Sequence, residues 1–196
     1  MPRHIALLIP GLSDTTIPTK VLHMWNQEGI EVIMHSAMWK NRDESYDIKL
    51  DRLIKHVDAL AQKNVSISLI GTSAGGSLVI NAFAKRKAKI HRVVSICGRI
   101  KKGKKVFPSL SLAAKGYNAF YDSVVACEET IKVLSAKDKE KIMTISPFLL
   151  DIIVPYSCIK ITGAHNTTVP IPYHTAGIAI ALTLWRKHIA DFILYN

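Results

Sequence analysis

Residues 65–84, with the sequence VSISLIGTSAGGSLVINAFA, decide the fold of this chain. The run Val65–Ile70 is apolar and of strand length, and the small-residue pentapeptide Gly71–Gly75 follows it at once. A helix-like run, Gly76–Ala84, begins directly afterwards. A strand that turns into a helix within so few residues needs small side chains, because the two elements come into close contact. The segment therefore predicts a strand, a sharp turn and a helix, with Ser73 in the strained centre of the turn.

The chemistry of this turn depends on what lies downstream of Ser73. A serine hydroxyl becomes a good nucleophile when a neighbouring base takes its proton. His165 and His174 lie in one loop, whereas His91 begins a strand-like run and His188 lies within the last helical pattern. His165 and His174 are therefore the two candidate bases.

Two similar loops offer an acid to orient that base. The first, starting at Asp151, reads D-x-x-V-P, and the second, starting at Asn166, reads N-x-x-V-P. An asparagine cannot stabilise the imidazolium that forms during catalysis, and this change costs about 10⁴ in rate in a serine protease. Asn166 also leaves too few residues before His174 for a further strand. The acid is therefore predicted to be Asp151.

The G-x-S-x-G turn, the D-x-x-V-P loop and the histidine ahead of the last helical pattern together resemble the α/β-hydrolases. The resemblance is at the level of motifs and spans nearly the whole chain. It implies that the catalytic residues follow the order Ser, Asp, His, which Ser73, Asp151 and His174 match. Because this fold places its histidine in the loop before the final helix, the resemblance favours His174 over His165.

The resemblance also implies an oxyanion hole. In this family the loop after the first parallel strand often reads His-Gly-x, and residue x donates a main-chain N–H. Here Pro10-Gly11-Leu12 occupies that position, with a proline in place of the histidine. Leu12 and Ala74 are therefore the expected donors, and one such donor contributes about 10²–10³ in rate. The same residues at Pro10-Gly11 also fit a plain turn.

Strand-length apolar runs alternate with helical patterns along the chain. This alternation predicts a mostly parallel, doubly wound α/β sheet of about six strands with helices on both faces, in a trimmed form of the α/β-hydrolase fold. The predicted strands are Ile5–Ile9, Ile30–His35, Val65–Ile70, Arg92–Ile96, Ile142–Ile145 and Cys158–Ile161. The predicted helices are Thr19–Gln27, Ile48–Gln62, Gly76–Lys87, Ala119–Leu134 and Ala176–Ile193.

Length and composition are those of an ordinary globular chain. The 196 residues and the hydrophobic content of 48% predict one domain over residues 1–196. No apolar run approaches the roughly 18 residues of a membrane span, and we expect no signal peptide. The three cysteines, Cys97, Cys127 and Cys158, lack the spacing of a disulfide framework or a zinc site. We therefore expect a cytoplasmic protein.

The net charge of +11 is unusual, and it is densest at Arg99–Lys105, with five cations in seven residues. Such a run can attract acidic substrates, an anionic membrane surface or nucleic acid, and a solvated loop is the simplest interpretation. It has no interleaved aromatic residues, and no nucleic-acid-binding motif accompanies it, so no nucleic-acid partner is expected. The run lies in segment 98–135, whose apolar residues predict either a short lid or ordinary packing.

Together these features predict a serine hydrolase that cleaves a small carboxylic ester, or a thioester or lactone, through an acyl-Ser73 intermediate. The reaction requires no metal and no organic cofactor. The expected partner is a small-molecule ester, without stable membrane insertion, and no oligomeric state is predicted. Two alternatives stay open: acyl transfer to an acceptor other than water, and a catalytically silent binding protein with this fold.

Overall fold

Six strands form one sheet in the computed structural model, which describes residues 3–148 and 151–195. The strands are β1 (His4–Ile9), β2 (Ile30–Met34), β3 (Ser66–Thr72), β4 (Val93–Ile96), β5 (Ile142–Pro147) and β6 (His165–Val169). They lie in the order β2-β1-β3-β4-β5-β6, and every neighbouring pair is parallel. Parallel strands need crossover connections, which helices supply here on both faces. The predicted doubly wound α/β sheet is confirmed.

Helices occupy most of the connections between strands. They are α1 (Thr19–Met24), α2 (Tyr46–Ala61), α3 (Gly75–Lys85), α4 (Leu110–Ala113), α5 (Asn118–Val133), α6 (Ala136–Lys139), α7 (His174–Leu182) and α8 (Arg186–Tyr195). Two 3₁₀ turns, Trp25–Glu28 and Tyr156–Cys158, complete the set in the described ranges. Within those ranges, no helix is both long enough and apolar enough to cross a membrane.

Strand β1 illustrates why the sheet is covered on both sides. Successive side chains of a strand point to opposite faces. Ile5, Leu7 and Ile9 join the hydrophobic core beneath α2, α3 and α5, whereas Ala6 and Leu8 join the core beneath α1, α7 and α8. A strand buried on both faces must be apolar throughout, which is why these strands read as continuous hydrophobic runs.

The prediction of the sixth strand at Cys158–Ile161 is wrong. Pro155 begins a 3₁₀ turn there, and its carbonyl accepts the amide of Cys158 at 2.7 Å. Strand β6 lies further along the chain, where the β-branched run Thr167–Val169 favours an extended backbone. Asn166 therefore lies inside a strand rather than after one.

The prediction of one final helix over Ala176–Ile193 is also wrong, because the helix breaks between α7 and α8. The indole N–H of Trp25 donates to the Leu182 carbonyl at 3.1 Å. The Thr183 hydroxyl donates to the Ala179 carbonyl at 2.7 Å, a side-chain bond that bends helices. Both bonds engage carbonyls of the last turn of α7, and the chain restarts as α8 in a new direction.

Segment 98–135 packs mainly through α5, which lies against α3. The hydroxyl oxygens of Ser77 and Ser123 are 2.8 Å apart, and the Asn81 side-chain amide donates to the Ser123 carbonyl at 2.9 Å. Helix α5 is thus the crossover helix between β4 and β5. A lid function for the remainder of the segment stays a prediction, as does the division of the chain into a single domain.

Candidate active site

The turn at Ser73 has the strained geometry that the sequence predicts. Strand β3 ends at Thr72 and α3 begins at Gly75, so two residues connect them. Ser73 has a φ of 52°, in the left-handed region that residues other than glycine seldom adopt. Its amide donates to the Ile96 carbonyl at 2.9 Å, and its carbonyl accepts the Gly76 amide at 3.0 Å. These bonds hold the serine at the carboxyl edge of the sheet.

Gly75 and Gly11 lie where other parts of the chain approach very closely. A Cβ atom on Gly75 would overlap the carbonyl oxygen of Ile9 at the end of β1. A Cβ atom on Gly11 would lie 2.9 Å from the Cβ of Ser73. The loop that follows β1 therefore passes directly beside the serine, where the predicted oxyanion loop has to be.

The structure brings Ser73, Asp151 and His174 together from three separate loops. His174 Nε2 lies 3.0 Å from Ser73 Oγ, and His174 Nδ1 lies 2.6 Å from Asp151 Oδ2. Both are hydrogen-bond distances, and the side chains of His174 and Asp151 are only 6% and 2% exposed. The three residues follow β3, β5 and β6, whose carboxyl ends form the edge where ligands bind in open α/β sheets.

The D-x-x-V-P loop orients the Asp151 carboxylate. Asp151 Oδ1 accepts the main-chain N–H groups of Ile153 and Val154, each at 2.9 Å. This is an Asx-type turn, and it leaves Oδ2 for His174. The buried Val154 side chain packs with Cys158 and anchors the loop. One carboxylate oxygen is thus held by the main chain and the other by the imidazole.

Asn166 and His165, the alternatives in the sequence, lie elsewhere. The Asn166 side chain closes the turn before β6, with Oδ1 accepting the Ile161 amide at 3.0 Å and the Thr144 hydroxyl at 2.7 Å. Its Nδ2 donates to the carbonyls of Ile161 and Ala164. The His165 ring packs against another aromatic ring, 5.0 Å away between centres. Both residues lie at the start of β6, at the opposite edge of the sheet from Ser73.

Hydrogen bonds that the sequence analysis did not identify hold the loop after β1. The indole N–H of the buried Trp39 donates to the Pro10 carbonyl at 3.1 Å. The Asp14 amide donates to the Gly11 carbonyl at 2.9 Å, and the Asp14 carboxylate accepts the Ser36 hydroxyl at 3.1 Å. Because Trp39 and Ser36 lie more than twenty residues from their partners in this loop, no local pattern signals these two bonds.

The two predicted oxyanion donors lie on either side of the serine. Ala74 is buried at the N-terminus of α3, where the helix dipole favours negative charge. Leu12 belongs to the supported loop after β1 and lines the same cavity as Ser73. Their role as donors stays a prediction.

An apolar cavity of about 460 Å³ opens beside Ser73. This volume lies in the usual range for small-molecule sites. Its walls come from the loop after β1, from α1 and from α7, and none of the described residues that line it carries a permanent charge. The apolar walls include Leu12, Val21, Ile178 and Leu182. The described residues of segment 98–135 do not contribute to this lining.

A larger cavity, about 860 Å³, lies at the amino-terminal edge of the sheet. It is lined by Arg3, Glu31, His4 and His91, among others. His4 shares a 3.0 Å hydrogen bond with Ser68, and burial lowers its pKa to about 4. Because Ser73 and its partners lie at the other edge, we place the candidate active site in the smaller cavity.

Cys97 lies next to the acid–base pair, and the sequence analysis gave it no role there. Donor atoms of Cys97, Asp151 and His174 all lie within 4.8 Å of one another, a spacing that could hold a metal ion. A metal would require the thiolate, however, and burial, aided by the Asp151 charge, raises the pKa of the Cys97 thiol. With Asp151 and His174 already hydrogen-bonded at 2.6 Å, the geometry favours an acid–base pair.

Comparisons with known proteins identify the fold. No protein-family model matches the chain, and no curated protein sequence matches it. A structure from work on the metagenome-derived lipolytic enzymes LipS and LipT superposes with a TM-score of 0.68 at 13% identity, covering 97% of this chain and 91% of that one. A monoacylglycerol lipase from Paleococcus ferrophilus gives a TM-score of 0.60 at 15% identity, covering 96% and 93%. An α/β hydrolase superfamily protein from Enterococcus faecalis gives 0.61 at 13% identity, covering 100% and 92%. These superpositions, together with the six parallel strands of the doubly wound sheet, show that the chain has the α/β-hydrolase fold.

Proposed function

We propose that this protein is a serine hydrolase that cleaves a small carboxylic ester through an acyl-Ser73 intermediate. The observation that carries the proposal is the continuous chain of hydrogen bonds from Ser73 through His174 to Asp151, at the wall of an apolar cavity. Two of the similar structures are described as a lipolytic enzyme and a monoacylglycerol lipase, which supports the same class of reaction. Thioesters and lactones present the same acyl carbon and belong to the proposed range.

In the first half of the reaction, Ser73, His174 and Asp151 have different roles. His174 Nε2 takes the proton of Ser73 Oγ as the oxygen attacks the acyl carbon. Asp151 accepts the hydrogen bond of the Nδ1 proton, which keeps Nε2 free to act as the base, and its charge stabilises the imidazolium. The imidazolium then donates its proton to the leaving oxygen. The alcohol departs and the acyl group stays on Ser73.

Water completes the hydrolysis. His174 removes a proton from a water molecule that attacks the acyl carbon, and it returns the proton to Ser73 Oγ as the carboxylic acid leaves. In both halves the carbonyl oxygen becomes negative, and we assign its stabilisation to the N–H groups of Leu12 and Ala74. The bond from Trp39 to Pro10 supports this assignment, because donors held in advance need no reorganisation during the reaction.

The cavity beside Ser73 supports an uncharged aliphatic acyl group as the substrate class. Each buried methylene contributes about 0.8 kcal/mol, so an acyl chain lying against Val21, Ile178 and Leu182 would be bound favourably. A second carboxylate on the acyl group would lose its hydration without gaining a charged partner. We therefore propose a simple alkanoyl ester rather than an ester of a dicarboxylic acid.

The cysteines support the proposed cytoplasmic location. Cys97, Cys127 and Cys158 are all free and buried. Free thiols are the normal state in a reducing compartment, whereas small secreted proteins often pair them.

Labelling with a fluorophosphonate probe tests the proposal, since the probe reacts with activated serines. The wild-type protein should be labelled and should hydrolyse p-nitrophenyl butyrate. The Ser73→Ala variant should lose both properties and keep its melting temperature, with a residual rate on the order of 10³ above water. The control is Ser111→Ala, which removes an exposed serine of α4 outside the cavity and should change neither property.

The outcomes separate the alternatives. A folded wild-type protein that is neither labelled nor active would favour the catalytically silent binding protein. Normal turnover by Ser73→Ala would show that another group is the nucleophile. Acyl transfer would be revealed by an added alcohol that captures most of the acyl group even when it is dilute relative to water.

A further inference from the structure

Six large exposed side chains lie on neighbouring loops, and one of them, Ile153, lines the catalytic cavity. All of them lie on the loops that follow β4, β5 and β6, at the carboxyl edge of the sheet. We call them the mouth surface, and they are Phe107, Phe148, Ile152, Ile153, Tyr156 and Tyr173. Single exposed apolar residues are common in proteins, but a group gathered at one place marks an interaction site.

Main-chain contacts join these loops into one surface. The Phe148 amide donates to the Ile171 carbonyl at 2.9 Å, which links the loop after β5 to the loop after β6. The Ile100 amide donates to the Cys158 carbonyl at 3.0 Å, which links the loop after β4 to the loop after β5. Val106 packs against the small cluster of buried residues around Cys158. These six side chains therefore lie on loops that contact one another, whereas other exposed apolar side chains, such as Val133 and Leu184, lie elsewhere.

The basic run of the sequence lies on this same surface. Arg99 itself is buried and donates to the carbonyls of Pro108 and Lys102, at 2.9 and 2.8 Å, so it shapes the loop. The exposed positive charges are those of the lysines that follow it, together with the half-buried ammonium of Lys160 over the Tyr156 ring at 4.1 Å. Lysines beside exposed apolar groups can keep their charge at a polar interface while the apolar groups enter it.

The charge balance of these loops is strongly positive. Segments 99–108 and 147–173 together contain six Lys and Arg residues and one acidic residue, Asp151. The Asp151 side chain is buried against His174. A neighbouring element supplies one counter-charge, Glu128 of α5, whose carboxylate lies 4.0 Å from Lys102 Nζ. The mouth surface thus combines apolar groups with cations that are largely uncompensated.

We propose that the mouth surface docks the protein peripherally on an anionic lipid bilayer. Exposed apolar side chains that enter the headgroup region, together with lysines attracted to anionic lipids, are the two features that hold proteins at such an interface. The four aromatic side chains fit a lipid interface and stacked bases alike. The aliphatic Ile152 and Ile153 favour lipid, because they offer a base neither stacking nor hydrogen bonds. Ile153 also lines the catalytic cavity, so docking turns the cavity toward the lipid.

Sedimentation with lipid vesicles tests the docking. The wild-type protein should bind vesicles of phosphatidylcholine with phosphatidylglycerol and should not bind vesicles of phosphatidylcholine alone. Raising the salt from about 0.1 M to 1 M shortens the Debye length from about 10 Å to about 3 Å and should release the protein. Absence of binding to the anionic vesicles, or equal binding to both kinds, would overturn the proposal.

Two pairs of variants locate the surface. Neutralising Lys102, Lys104 and Lys105 with glutamine should weaken vesicle binding about a hundredfold. The control replaces Lys63, Lys85 and Lys137, which are equally exposed but lie near the amino-terminal edge, and it should weaken binding much less. Equal losses in the two triple variants would show that net charge alone is responsible, and would overturn the docking surface.

The second pair tests the apolar part. Ile152→Ser should weaken vesicle binding about tenfold, because this side chain is 76% exposed and would enter the lipid. Val133→Ser, which changes a residue that is 79% exposed at the far end of α5, should have no effect. Unchanged binding of Ile152→Ser, with duplex DNA displacing the protein from vesicles, would assign the lysines to nucleic acid instead.

These experiments distinguish a failure of the docking proposal from a failure of the proposed hydrolysis. The Ser73→Ala variant should bind vesicles like the wild-type protein, since binding needs no turnover. Thermal unfolding of each variant verifies that it is folded, and the salt dependence of the wild-type protein gives a measurement that requires no substitution.

Discussion

Replacing Asp151 by asparagine changes one atom of the proposed acid and should remove nearly all activity. Asp151 Oδ1 accepts the main-chain N–H groups of Ile153 and Val154, which an amide NH₂ cannot do. The carbonyl oxygen of the asparagine therefore takes the Oδ1 position, and its NH₂ faces His174 Nδ1. Nδ1 must then act as an acceptor, so the ring proton moves to Nε2. Nε2 has no lone pair left for the proton of Ser73.

The change of tautomer determines how large the loss of kcat should be. The wrong tautomer should lower kcat by about 10⁴, as the same substitution does in a serine protease. That factor corresponds to roughly 5.5 kcal/mol in the activation barrier. The free energy of unfolding should change little, because both main-chain bonds to Oδ1 survive. Turnover of p-nitrophenyl butyrate and thermal unfolding of the same preparations measure the two quantities.

Asn166→Ala is the matched control, because Asn166 begins the similar N-x-x-V-P loop. It removes four hydrogen bonds that close the turn before β6. At about 1 kcal/mol for each bond, reduced by partial exposure, the free energy of unfolding should fall by about 2–4 kcal/mol. The kcat of the folded protein should not change. The reasoning is refuted if Asp151→Asn keeps kcat within about tenfold of the wild type, or if Asn166→Ala loses as much turnover.

Three other perturbations probe the oxyanion loop, the cavity and a buried histidine. Gly11→Ala places a Cβ atom 2.9 Å from the Cβ of Ser73 and should lower kcat by up to about 10²-fold. A normal kcat in steady-state kinetics would show that this loop takes no part in the reaction. Across p-nitrophenyl esters of increasing acyl length, kcat/KM should rise about fourfold per methylene until the cavity is full, and Ile178→Phe should move the optimum to shorter chains. A flat profile would contradict the proposal that the acyl chain binds in this cavity. Burial lowers the pKa of His35 from 6.5 to about 4, so between these values the unfolded chain binds a proton that the folded chain does not. The contribution of His35 to the free energy of unfolding should therefore be fully present above pH 6.5 and should fall by up to about 3 kcal/mol toward pH 4. His35→Leu should reduce the slope of the unfolding free energy against pH by up to one proton, and an unchanged slope would contradict this prediction.

Local patterns were sufficient to predict the fold class and to name the residues that the structure brings together. The strand, turn and helix around Ser73 could be predicted because their requirements are local: a buried apolar strand, small residues at the turn and an apolar helix face. Asp151 could be distinguished from Asn166 because the chemistry of a carboxylate differs from that of an amide. The catalytic roles of these residues stay predictions until the variants are measured.

The break in the final helix has a tertiary cause, and the misplaced last strand has both local and tertiary causes. The final helix breaks where Trp25, from the other end of the chain, donates to the Leu182 carbonyl. The last strand starts after a turn that the Asn166 side chain closes with partners on both sides of it, including Thr144 of β5. Periodicity reports only the residues within one segment, so neither contact could be inferred from it.

The sequence by itself determined the fold class, the two covered faces of the sheet and the candidate nucleophile, acid and base, since each depends on residue types within a short stretch. Only the tertiary structure decided that Trp39 holds the loop beside Ser73, that Cys97 lies next to Asp151, and that the exposed apolar residues of three loops share a surface with the basic run. These arrangements join residues far apart in the chain. The packing of strands and helices brings the carboxyl ends of strands that are distant in sequence to one edge of the sheet. Local sequence patterns do not indicate which residues become neighbours there.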